Sequence, residues 1–180
     1  MHWKTFTYGA LAIALVLLVG VGFFLTGKAK PAAEITSFEE CGAAGNPIQE
    51  SYPEVCVTKD GKRFVHDVGN VVDKMNLITI EMPRPGDTIT SPLTIKGQAR
   101  GNWYFEASFP VELQDDAGNV LAQSPAQAQG DWMTTEFVPY EVTLTFSSPE
   151  SGKGKLVLKK DNPSGDPAHD DVLTIPVKFK

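Results

Sequence analysis

The C-terminal stretch 173–179 reads LTIPVKF, in which apolar residues alternate with polar residues or proline. Apolar side chains at every second position lie on one face of a β-strand, whereas a helix would distribute them around its axis. The same alternation recurs in four earlier runs, at 77–82, 93–98, 109–114 and 141–146. In the first of these runs it predicts that Ile78, Ile80 and Met82 share one face.

Two shorter runs, 120–122 and 156–159, bring the number of predicted strands to about seven. Turn sequences separate the runs, as in Asp116-Ala117-Gly118-Asn119, which suits a hairpin loop. About seven short alternating strands are typical of an immunoglobulin-like sandwich. No cysteine lies in 77–180, so the core is expected to be purely apolar. The predicted fold class is therefore all-β, an immunoglobulin-like β-sandwich over residues 77–180.

Short motifs appear in order through this region: Pro-Gly, Ser-Pro-Leu, Gly-x-Ala and Phe-Glu-Ala. They belong to longer segments at 80–99, 103–109, 115–121, 146, 152–154 and 175–177. With these segments the region resembles the immunoglobulin-like domain of bacterial spore germination, the Gmad family. The resemblance implies a non-catalytic, extracytoplasmic module of the cell envelope. Germination itself is not implied, because such domains are not confined to spore formers.

The N-terminal stretch 8–26 carries no charged residue and is dominated by Leu, Ala, Val, Ile and Phe. At about 1.5 Å per residue, a helix of this length roughly matches the hydrocarbon core of a bilayer. We therefore predict one transmembrane helix within 1–30, followed by a spacer at 31–37. A cleaved signal peptide is the alternative, although Lys28 and Lys30 are poor flanks for cleavage. The predicted location is the cell membrane, with a single pass and the C-terminal domain outside the cytoplasm.

The only two cysteines, Cys41 and Cys56, lie in the segment 38–68. Outside the cytoplasm they are expected to form a disulfide, closing a loop worth roughly 3 kcal/mol of chain entropy. A hairpin with Asp60-Gly61 at its turn follows. We interpret the segment as a stapled collar at the entrance of the sandwich, with a small recognition knob as the alternative. Residues 69–76 are the predicted linker.

Residue types that carry chemistry are few. The formal charge of −6 argues against nucleic acid as a partner. Ser164, His169 and Asp170 resemble a hydrolase triad in type, but neighbours in one loop do not supply pre-positioned geometry. Asp161, Asp166 and Asp170 are a weak calcium candidate, because the repeating D-x-[DN]-x-[DN]-G pattern is missing. The prediction is a protein that is not an enzyme, with no catalytic residue, metal site or cofactor.

Trp103, Tyr104 and Glu106 are the predicted binding residues. Aromatic rings at the end of a sandwich grip a peptide or a sugar face, or else they pack into the core, which is the favoured interpretation. The expected partners, besides the membrane, are envelope proteins or the cell wall, with strand addition at an exposed edge as the contact mode. The alternative function is a carbohydrate-binding module for cell-wall glycan that uses these aromatics.

Overall fold

A computed structural model of the chain describes residues 34–149 and 152–180. The chain divides into two compact units, Met1–Ile35 and Thr36–Lys180, so the collar, the linker and the sandwich region fall within one unit. The predicted transmembrane helix in 1–30 and most of the spacer lie outside the described residues. Within the described ranges, no helix is long and apolar enough to cross a bilayer.

The described elements are mostly strands, and this confirms the all-β prediction. In chain order they are α1 (Phe38–Ala43), β1 (Ile48–Gln49), β2 (Val55–Val57), β3 (Arg63–Val65), α2 (Val71–Lys74), β4 (Ile78–Met82), β5 (Thr88–Ile89), β6 (Leu93–Arg100), β7 (Ser108–Asp115), β8 (Val120–Ala128), β9 (Phe137–Leu144), β10 (Lys153–Lys159) and β11 (Val172–Phe179). Single 3-10 turns lie at Gly101–Trp103 and Pro167–His169. Strands β1 to β3 form a small sheet in the collar.

Strands β4 to β11 form an eight-stranded ladder in the order β4-β6-β9-β8-β7-β10-β11-β5. The ladder is narrow between β8 and β9, because these two long strands share only two residue pairs. Phe146, just beyond β9, packs on Phe179 of β11 with ring centroids 5.9 Å apart. Four strand steps separate β9 from β11, about 19 Å in a flat sheet. The ladder therefore folds over near β8 into two facing layers. It has eight strands rather than the predicted seven, because the short β5, which was not predicted, joins its edge.

The core lies between these layers. Along β11, Leu173, Ile175, Val177 and Phe179 are buried, as the alternation predicts. The Tyr140 ring meets the Phe109 ring edge-on, with centroids 5.0 Å apart. Apolar burial from both layers is the main force holding them together.

Met82 does not follow the predicted alternation. Ile80 lies opposite Gly97, but Met82 lies opposite Lys96, so Glu81 is the extra residue of a β-bulge. The bulge turns Met82 away from the core, and 47% of its surface is exposed. The prediction that Ile78, Ile80 and Met82 share one face is therefore wrong for Met82.

The two ends of the ladder differ. At one end, the edge of β11 is covered by β5, by the turn before β5, where Gly86 donates a backbone hydrogen bond to the Pro176 carbonyl at 2.8 Å, and by the linker. Gly69 allows the linker to approach this closely, because a Cβ there would lie 2.0 Å from the carbonyl oxygen of Thr174. At the other end, β4 has a neighbouring strand, β6, on one side only.

Candidate binding site

Trp103 and Tyr104, two of the predicted binding residues, are 1% and 4% exposed. The Tyr104 hydroxyl donates a hydrogen bond to the Val138 carbonyl at 2.7 Å, and burial raises the pKa of this phenol far above its usual value. Its ring meets Phe109 edge-on at 5.2 Å. The buried indole N–H of Trp103 has no hydrogen-bond partner among the described residues. Neither ring presents a face to solvent, because the turn Gly101–Trp103 places both side chains inside the sandwich.

Glu106 occupies a different environment. Glu106 and Ala107 have φ angles of 49° and 61°, and the backbone groups of Phe105 and Ser108 on either side exchange hydrogen bonds of 2.9 and 3.1 Å. This is the geometry of a two-residue hairpin turn that requires positive φ at both central positions. Glu106 is exposed at its tip. The three predicted binding residues therefore do not form a common surface.

The acidic loop 160–171 uses its side chains to brace its own turns. Asp166 accepts a hydrogen bond from the Ala168 N–H at 2.9 Å, and Asp170 accepts one from the Asn162 amide at 2.7 Å. Within 34–149 and 152–180, no three His, Cys, Asp or Glu side chains are grouped to hold a metal ion. The weak candidates Asp161, Asp166 and Asp170 do not converge on one point.

Ser164 and His169 lie close together, with the serine Oγ 3.3 Å from the imidazole Nδ1. The hydroxyl donates a shorter hydrogen bond, of 2.6 Å, to Asn162 Oδ1. Its proton therefore points away from the imidazole, and the Asp170 carboxylate bonds Asn162 rather than His169. A nucleophilic site needs the opposite arrangement, with the hydroxyl proton on the imidazole and the imidazole on the carboxylate.

A cleft of about 710 Å³, the loop cleft, lies between this loop and the outer face of β10 and β11. Its lining residues are Asn70, Lys74, Pro110, Val157, Lys159, Lys160, Asp161, Asn162, Asp170, Asp171 and Val172. Two of its lysines are paired, Lys74 with Asp171 and Lys159 with the buried Glu112. The Lys159 hydrogen bond, aided by Gln114, holds the pKa of Glu112 below its ordinary value against the effect of burial. The loop cleft is lined by three lysines and three aspartates, so its lining carries no net formal charge.

A second cleft, of about 550 Å³, lies between the collar and β4, and we call it the collar cleft. It is lined by Ser51, Tyr52, Glu54, His66, Val68, Val71, Ile80, Glu81, Arg84, Pro85 and Asp87. The His66 ring stacks on Phe38 at 4.6 Å, and its Nδ1 lies 3.3 Å from the Glu54 carboxylate. Tyr52 is 58% exposed at the rim.

The Cys41–Cys56 disulfide fixes the collar side of this cleft. The bond joins Cα atoms 6.1 Å apart, and both cysteines are fully buried, which confirms the predicted pairing. Cys41 lies in α1, whose first turn is capped by the Ser37 hydroxyl, and Cys56 lies in β2. Tyr52 and Glu54 lie inside the loop that the disulfide closes. The disulfide therefore positions two residues that line the collar cleft.

Sequence reasoning did not single out Tyr52, Glu81 or Arg84. One signal was present, since Glu81 is a charge within an apolar strand sequence and Arg84 stands between two prolines. That signal does not reveal the cleft, because its two walls come from segments that meet only after the collar packs beside β4.

Two facing β-layers joined to a small disulfide-stapled segment define an immunoglobulin-like domain with an N-terminal collar. The family model for the immunoglobulin-like domain of bacterial spore germination matches residues 77–166, which is 90 of the 180 residues. The chain belongs to this family. The match begins where the sandwich was predicted to start and ends before β11. No curated protein matches the chain.

Proposed function

We propose that this protein is a membrane-anchored envelope protein whose immunoglobulin-like domain acts outside the cytoplasm as a non-catalytic binding or assembly module. The observation that carries the proposal is the Cys41–Cys56 disulfide. Disulfides persist in oxidising compartments and are rare in the cytosol. The uncharged stretch 8–26 has the length of a membrane anchor, which is consistent with a domain held at an envelope surface.

Two further observations support binding rather than turnover. The hydroxyl and imidazole of the 160–171 loop take part in hydrogen bonds that brace the loop. The family description names an immunoglobulin-like domain, an architecture that often presents surfaces to other molecules. The partners proposed are other envelope proteins or the cell wall.

Location is tested by placing a single reactive thiol on the domain. Met133 is 78% exposed, so Met133→Cys presents a thiol to solvent, while the two native cysteines are bonded to each other. We expect a membrane-impermeant maleimide to label this variant on intact cells. Labelling only after lysis would overturn the extracytoplasmic location.

The wild-type chain is the matched control, because its cysteines are buried and paired. The anchor is tested separately by carbonate extraction of membranes and by the intact mass of the purified protein. We expect the protein to stay with the membrane and its mass to include residues 1–30. Release by carbonate, or a mass lacking these residues, would contradict the retained anchor.

A further inference from the structure

The outer edge of β4 is open. In the described part of the chain, the backbone of Ile78–Met82 hydrogen bonds as a ladder only with β6. One side-chain contact is added, from the Tyr140 hydroxyl to the Thr79 carbonyl at 2.9 Å. A strand with one neighbour leaves N–H and C=O groups along its other edge available to an added strand.

The collar cleft adjoins this edge. Ile80 and Glu81 of β4 form one wall, and Tyr52, Glu54 and His66 of the collar form the other. An extended peptide that pairs with β4 would therefore place its side chains against the collar. Such strand addition derives its affinity from backbone hydrogen bonds and its specificity from side-chain pockets beside the edge.

The charge of the collar cleft selects the type of peptide. Its lining includes three carboxylates, those of Glu54, Glu81 and Asp87, against one guanidinium, that of Arg84. With His66 counted as neutral, the lining therefore carries a net charge of −2. Glu81 is the extra residue of the bulge, and its exposed side chain makes no hydrogen bond or ion pair within the described ranges. Opposite charges on neighbouring strands attract, so the edge favours a peptide with a basic residue near Glu81.

Exposed apolar side chains lie close to both ends of β4. Val72 and Met75, in and just after α2, are 42% and 50% exposed, and α2 packs beside the start of β4. Met82, at the end of β4, is 47% exposed. Methionine adapts its shape to varied partners, and clustered exposed apolar residues mark interaction surfaces.

From these observations we propose that the β4 edge and the collar cleft bind an extended segment of a partner protein, in which basic residues are interleaved with apolar ones. This inference rests on the proposed function, because it names the partner chemistry of the binding module. The bulge and the charge of Glu81 limit the edge to such peptides, since both features discourage indiscriminate strand pairing.

The test selects peptides from a phage-displayed random library on the full-length protein in detergent. We expect enrichment of sequences with Lys or Arg placed among apolar and β-branched residues. The enriched peptides are then synthesised with a fluorescent label and titrated by fluorescence polarisation. Peptides N-methylated at every second amide should no longer bind, because they lose the donors that pair with β4.

Glu81→Lys and Asp116→Lys form a matched pair of charge reversals. Both residues are exposed, but Asp116, in the β7–β8 turn, is not among the residues that line the collar cleft. We expect Glu81→Lys to weaken binding by about tenfold or more and Asp116→Lys to change it by less than about twofold. Hydrogen exchange should show new protection at 78–82 when peptide is bound.

Three results would overturn the proposal: no enrichment above a detergent-only control, binding that is insensitive to Glu81→Lys, or protection at another edge. Sedimentation tests whether a second copy of the chain occupies the edge instead of a partner protein. A dimer that Glu81→Lys dissociates would assign the edge to that second copy. Maleimide labelling on cells is independent of these titrations. The two sets of experiments therefore distinguish a wrong extracytoplasmic location from a wrong peptide site.

Discussion

The side chain of Asn70 pairs with the backbone of Thr174 as a neighbouring strand would. Its Oδ1 accepts a hydrogen bond from the Thr174 N–H at 2.7 Å, and its own backbone N–H donates to the Thr174 carbonyl at 3.3 Å. The Asn70 amide also donates to the Val172 carbonyl at 2.9 Å. The linker thereby closes the edge of β11 that would otherwise be open to other chains.

Asn70→Ala should destabilise the protein, because it leaves the Thr174 N–H and the Val172 carbonyl without these partners. The expected loss is about 1–3 kcal/mol in the free energy of unfolding, measured by urea titration. Asn70→Asp keeps the acceptor and loses the donor, so we expect an intermediate loss. Two variants as stable as the wild type would show that the linker does not hold this edge.

Gly97→Ala should be strongly destabilising. A Cβ at this position would lie 2.1 Å from the Thr79 carbonyl oxygen and 2.5 Å from the Tyr140 hydroxyl, which are hydrogen bonded to each other. Forcing these groups apart should cost about 2 kcal/mol or more, measured as a change in the urea midpoint. The control is Gly152→Ala, because a Cβ at Gly152 meets nothing within 4 Å. Similar effects at both positions would refute the packing argument.

Glu106→Asn combined with Ala107→Gly should stabilise the protein. Both residues have positive φ in the present turn, and Asn-Gly is the favoured pair for this geometry. Relief of the backbone strain should raise the free energy of unfolding by about 1 kcal/mol. Ala117→Gly is the control, since Ala117 lies in another turn and is not among the residues with positive φ. Stabilisation by Ala117→Gly, or none by the double variant, would contradict the prediction.

Acid should weaken the fold partly through Glu112. The hydrogen bond from Lys159 lowers the pKa of Glu112 below its ordinary value of 4.5, so over this range the folded state binds fewer protons than the unfolded state. The stabilisation is fully present above that value and is lost as the pH falls through the lower folded-state pKa. In urea titrations between about pH 6 and pH 3, Glu112→Gln should lose less stability than the wild type. Identical curves for Glu112→Gln and the wild type would contradict the assignment.

Alternation predicts the strands whose two faces differ in burial. The strands β6 and β11 alternate between buried and less buried positions along their whole length, and both were predicted from this pattern. β8 is longer than predicted, because it lies where the ladder folds over and most of its positions are not fully buried, so its alternation is weak. The bulge at Glu81 was not predictable from alternation, because its sequence reads as one continuous strand.

The candidate site was less accessible to sequence reasoning. Trp103 and Tyr104 are adjacent and both buried, which an alternating strand does not allow but the 3-10 turn ending at Trp103 does. The role of Asn70 depends on a partner 104 residues further along the chain. The disulfide was predictable because only two cysteines were available to pair. The collar cleft was not, since its walls meet only in three dimensions.

The closure of β11 by earlier parts of the chain has a consequence for synthesis. Asn70 and β5 both precede β6 in the chain, yet each pairs with β11. β11 is the last strand of the ladder to leave the ribosome. Contacts of such long sequence separation form slowly, because a large loop must close first. Until residues 172–179 emerge, the linker and β5 have no β11 to dock on. We therefore expect a chain arrested before this point to be a target for chaperones and proteases.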